Sequence, residues 1–74
     1  MVYSPEKNGK RLRKLRIAKG KTTTEAAYEL NISESALRAY ESGARNPSDD
    51  VKIDIAQYYK VSVESIFFCT LMPL

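Results

Sequence analysis

The sequence has no histidine and no tryptophan, a single cysteine, and only three glycines and three prolines in 74 residues. Each scarcity excludes something. Cys69 stands alone, so no intrachain disulfide can form. Without histidine or a cysteine pair, a nitrogen- and sulfur-ligated metal site has no ligands, and neither metal nor cofactor is expected. A nucleophilic role for Cys69 would need an activating base that the sequence does not supply. No glycine-rich phosphate loop appears either, so an enzyme is not expected. Long hydrophobic runs are also missing: the most apolar stretch, "IFFCTLMPL", is far short of the roughly 20 residues that span a bilayer. A free thiol and the absence of a signal-peptide pattern point to the cytoplasm, with no membrane partner.

What remains is one small helical domain. We expect a single unit over residues 1–68, with a short apolar tail over 69–74. A chain this short buries only about 60% of its unfolded surface and needs an efficient core or a partner. Net charge is +3, and its distribution is lopsided. Eight basic residues and no acidic one lie between Lys7 and Thr24, whereas four basic and eight acidic residues follow from Glu25 onward. The basic run points to a polyanionic partner, although a solvated basic helix would read the same way. Its cations spread round the cylinder, Lys10, Arg13, Lys14 and Arg16 among them, so not all eight can face one duplex.

Five helices can be placed, with no strands expected. Ser4 and Pro5 start the first, Leu12, Leu15 and Ala18 form its inner face, and Gly20 stops it. Thr22 and Glu25 form a capping box for the second, whose inner residues are Ala26, Ala27 and Leu30. Asn31 tolerates the left-handed conformation of a tight turn, and Ile32 plugs that turn. Ser33 caps the third helix, about 33–42, with Ala36, Leu37 and Tyr40 inward and Gly43 at its end. Pro47 with Ser48 or Asp49 restarts the chain as helix four, given a broad apolar face by Val51, Ile53, Ile55, Ala56 and Tyr59. Ser62 caps a short fifth helix, with Val63, Ile66 and Phe67 inward.

Helices two and three, joined by a three- or four-residue turn, make a helix-turn-helix. Their close crossing needs a small residue, and Ala27 is one. Leu37 and Tyr40 tie one edge of helix three to the core. The free edge then carries Glu34, Ser35, Arg38 and Ala39, and such an edge fits the major groove of DNA.

The pieces "LRKLRIAKG", "AYESGARNPS" and "IAQYYKVSVESIF" carry a family resemblance. From Gly9 to Phe68 the chain resembles the Xre family, the helix-turn-helix domain of phage repressor and Cro proteins. That resemblance implies an all-α, compact five-helix lambda-repressor-like fold. It implies a sequence-specific double-stranded DNA-binding transcriptional regulator, a repressor of bacterial or phage type, reading the major groove with helix three as a dimer. It also implies an ion pair between Arg16 and Glu41 that clamps helix one to the reading helix. Glu34, Ser35, Arg38 and Ala39 fall on base-contacting positions; Arg16, Thr23, Ser42, Arg45 and Asn46 fall on backbone-contacting ones. Arg38 suits guanine or a phosphate, Ser35 either groove partner, and the Ala39 methyl a thymine methyl.

Two residues depart from the family pattern. Thr23 is shorter than the usual glutamine. Glu34 brings negative charge to the front of the reading helix, where the helix dipole favours it, cytosine N4 can donate to it, or it can repel unwanted sites. All three readings stay open. The uncharged tail either folds on its own core or joins the C-terminal third in a homodimer contact. The competing reading is an antitoxin-like or regulatory module whose main partner is a protein, with DNA secondary.

Overall fold

Side-chain caps mark the helix boundaries. In the computed structural model, which describes residues 5–67, five helices follow in order. They are α1 (Pro5–Ala18), α2 (Thr23–Leu30), α3 (Glu34–Ser42), α4 (Asp49–Tyr59) and α5 (Val63–Phe67). The capping box of α2 closes at both ends: the Glu25 amide donates to Thr22 Oγ1 at 3.1 Å, and the Thr22 amide donates to the Glu25 carboxylate at 2.9 Å. Ser33, Ser48 and Ser62 accept from the amides of Ala36, Val51 and Ser65 in the same manner. The Ser4 cap and the tail 69–74 lie outside the described residues.

The turn between α2 and α3 is three residues long, because Asn31 bends the chain at φ 61° and ψ 40°. The following Ile32 amide donates back to the Ala27 carbonyl at 3.0 Å, satisfying the end of α2. Gly43 ends α3 at φ 85°. Lys60 ends α4 with φ 58°, a left-handed position that its residue type does not announce.

The core sits where the helices converge. Leu12, Leu37, Ile55, Ile66 and Phe67 are its largest fully buried side chains, with Ala26 and Ala27 filling the narrow places. Two expected core residues point outward instead. Ala18 is exposed, because steps of three residues drift by about 60° each on a helix of 3.6 residues per turn, so the face that begins at Leu12 has rotated away. Ile53 is 48% exposed, since two residues before the buried Ile55 lies about 200° away on the same helix. In its place Lys52 is buried, its stem inside and its ammonium 5.3 Å from the Phe67 ring centre. Arg11 stitches the fold's two ends: one guanidinium nitrogen donates to Asn8 Oδ1 and to the Ile66 carbonyl, each at 3.2 Å.

Among the described residues, one buried hydroxyl is left without a partner. Tyr59 is 8% exposed, and its oxygen makes no hydrogen bond. Burial, and then the nearby Glu41 carboxylate, push its pKa up to about 12, with Arg16 pulling the other way. A folded-state pKa above the unfolded value of about 10 gives stability that is intact below that value. It is lost as pH rises toward about 12. Tyr59→Phe removes an unsatisfied group while keeping the ring, so urea melts at pH 7 are expected to match wild type within about 1 kcal/mol or exceed it. Melts at pH 11 should show a smaller alkaline loss than wild type. Tyr58, also shifted upward by burial and by its bond to Glu29, keeps part of that loss.

Candidate nucleic-acid interface

The site is built on α3. Its inner edge is fixed by Leu37, which is fully buried, and Tyr40, which is 6% exposed. That leaves Ser35 and Arg38 exposed on the opposite edge, with Glu34 and Ala39 half-buried beside them. Glu34, Ser35 and Arg38 together line an open surface depression. The four residues expected to meet bases therefore share one accessible edge of one helix.

A clamp holds that helix in place. Arg16 at the end of α1 meets Glu41 near the end of α3 side by side: Nε donates to one carboxylate oxygen at 2.8 Å and Nη2 to the other at 3.2 Å. Its third nitrogen donates to the Lys21 carbonyl at 3.0 Å, tying in the start of the α1–α2 turn. The hydrogen bond to Glu41 raises the Arg16 pKa against the opposing effect of burial. Two-point contact fixes direction as well as distance.

The expected backbone contacts are less uniform. Thr23 is half-buried in the first turn of α2, while Arg45 and Asn46 are exposed in the loop after α3. The Arg45 guanidinium lies 5.7 Å from the Tyr40 ring centre, which holds it beside α3. The Ser42 hydroxyl is occupied within the chain, donating to the Ala39 carbonyl at 3.1 Å and accepting from the Ala44 amide at 3.3 Å.

The structure also divides the basic run. Arg11 and Arg16 make internal hydrogen bonds. Lys21 pairs with Glu29 at 3.2 Å, and Lys19 lies 4.9 Å from the Tyr58 ring centre. Tyr58 in turn donates to Glu29, and this bond above all lowers the Glu29 pKa. Lys10 and Lys14 are exposed about 200° round α1 from buried Leu12 and line a shallow surface with Arg13 and Ile17.

In the sequence, Glu34 and Arg38 read as separate contacts. The structure joins them: Arg38 Nη2 donates to Glu34 Oε2 at 2.6 Å across one helical turn. The signal was present, since a carboxylate four residues before an arginine on a helix is a pairing pattern. Gly9 was also missed as a packing residue. Its Cα faces α3 so closely that a Cβ would lie 2.3 Å from the Glu41 carbonyl oxygen.

Two short helices about a left-handed asparagine, with an inner edge buried and an outer edge open, define a helix-turn-helix domain. A family profile described as "Helix-turn-helix domain" matches residues 9–66, and the chain belongs to that family, in its Xre and Cro-like form. The chain is similar to the HTH-type transcriptional regulator ImmR of Bacillus subtilis strain 168, 39% identical over 56 residues. That match covers 76% of this chain and 44% of the relative, so the chain spans less than half of that protein's length. Among solved structures it is similar to the restriction-modification controller protein C.AhdI from Aeromonas hydrophila. The TM-score is 0.79 with 30% identity, over 85% of this chain and 96% of that one. It is also similar to the clp gene regulator ClgR from C. glutamicum, with a TM-score of 0.74 and 27% identity, over 84% of this chain and 80% of that one. Among the described residues no helix is long and apolar enough to cross a membrane.

Proposed function

We propose that this chain is a sequence-specific double-stranded DNA-binding transcriptional regulator, a cytoplasmic repressor that lays α3 in the major groove. The observation that carries this reading is the open edge of α3 on a helix clamped from behind. Ser35 and Arg38 face outward while Leu37, Tyr40 and the Arg16–Glu41 pair fix the helix. The regulators it resembles are described as a transcriptional regulator, a restriction-modification controller and a clp gene regulator, which supports it. Arg45 and Asn46 would meet phosphates next to that edge, with Thr23 at the front of α2. Ser42, its hydroxyl already engaged, would act chiefly by holding the loop.

A single module binds modestly, so the reading includes a homodimer on half-sites about 34 Å apart. The exposed Ile53 on α4 supports pairing through the C-terminal third. The test is a mobility shift over a salt series, with duplex DNA selected from a random pool. Wild type is expected to enrich a two-fold motif and to hold it against competitor DNA. Arg38→Ala is expected to weaken that complex by roughly 5- to 150-fold, the range for losing one bidentate base contact. Binding that is wholly non-specific, with a protein that co-purifies in fixed ratio, would favour the protein-partner reading instead.

A further inference from the structure

Glu34 poses a problem for a surface that approaches DNA, because a carboxylate repels phosphates. Its geometry removes the problem. Glu34 is the first residue of α3 and Arg38 stands one turn further on, their side chains 38% and 68% exposed and joined at 2.6 Å. The pair has no net charge, so it adds little to general attraction. Only one of the five donors of the guanidinium is spent on this contact. Glu34 Oε1 has no hydrogen-bond partner among the described residues. The outer edge of the pair therefore offers an acceptor beside a donor fork.

Resting on the DNA-binding reading above, we infer that Glu34 and Arg38 act as one unit that reads a single C·G base pair. A cytosine presents its N4 amino donor in the major groove, next to guanine O6 and N7, two acceptors on one base. Oε1 accepts from the cytosine while the free edge of the guanidinium forks to the guanine. Thymine in place of cytosine sets its O4 acceptor against the carboxylate. Adenine in place of guanine sets its N6 donor against the guanidinium. Both substitutions leave like poles facing each other, so the pair both selects and rejects. Glu34 also holds Arg38 in one rotamer before DNA arrives, which makes it a positioning residue as well as a reader. Without Glu34 the guanidinium is free to turn to a phosphate, and binding loses selectivity rather than strength.

The test uses the full chain as wild type, Glu34→Ala, Arg38→Ala and the double variant. The best duplex selected by wild type is compared with its single base-pair replacements. In wild type, one C·G pair is expected to discriminate by roughly 5- to 150-fold over the other three pairs. Glu34→Ala and Arg38→Ala should each flatten the preference at that same pair, and the double variant should flatten it no further. Glu34→Ala should also bind random duplex at least as tightly as wild type, with a salt slope steeper by up to about 0.9 if Arg38 gains a phosphate. Each preference is a ratio within one variant, so a change in folded fraction does not alter it. The inference is overturned if Glu34→Ala keeps full discrimination at that pair, or if the two variants relax different pairs. If wild type enriches no motif at all, the DNA-reading proposal itself falls, a result distinct from either of these.

Discussion

Gly9→Ala is expected to lower the melting temperature by about 12 °C or more, measured by circular dichroism. Helix propensity alone gives the opposite sign, since Ala is better than Gly in a helix interior by about 1 kcal/mol. Packing decides the matter. A Cβ at this position would stand 2.3 Å from the Glu41 carbonyl oxygen and 2.7 Å from that of Tyr40. These are backbone atoms of α3, so no side chain can swing aside. The helices must separate or tilt, and α3 carries the reading edge. Overpacking of this kind costs about 1–3 kcal/mol, and more when the obstacle is rigid. We expect about 3 kcal/mol or more, and in a domain of this size each kcal/mol moves the midpoint by about 4–8 °C. A variant that melts at or above the wild-type temperature would show that the close crossing of α1 and α3 does not exist in solution.

Breaking the clamp between Arg16 and Glu41 should have an effect of similar size. Their side chains are only 12% and 9% exposed, so removing one partner strands a charge that water reaches poorly. Such losses cost about 3–5 kcal/mol. For Glu41→Ala we expect the lower end, about 3 kcal/mol, because Arg16 keeps its bond to the Lys21 carbonyl. Replacing both partners by apolar residues, Arg16→Met with Glu41→Leu, should return stability to within about 1 kcal/mol of wild type. Urea melts of the three proteins check this. If Glu41→Ala costs under about 0.5 kcal/mol, the two charges are independent surface groups. Added salt separates the readings too, since a sheltered pair is screened far less than an exposed one.

Most helix boundaries were legible because their signals are local. Thr22 with Glu25, Ser33 and Gly43 act within one turn of chain, so residue type and spacing suffice. The Asn31 turn is of the same kind, a backbone conformation that few residues accept. Lys60 shows the limit of such reasoning: it takes the same left-handed conformation as Asn31, but only its place at the end of α4 requires it. The inner faces were legible in part. A periodic apolar pattern locates Leu12 and Ile55 but does not say how far a face extends, so Ala18 and Ile53 turned out exposed and Lys52 buried. The candidate reading edge followed from helix geometry once Leu37 and Tyr40 were assigned inward.

The sequence by itself determined five helices, a left-handed bend between the second and third, and an uneven charge, because these depend on residues adjacent in the chain. Tertiary structure alone decided which cations turn inward, as Arg11 and Arg16 do, and which stay out, as Lys10 and Lys14 do. It also decided that Gly9 is a contact point and not a weak spot in a helix. The physical reason is distance along the chain: Gly9 and Glu41 meet only after three helices have folded back on one another, and no local propensity encodes a meeting of that range.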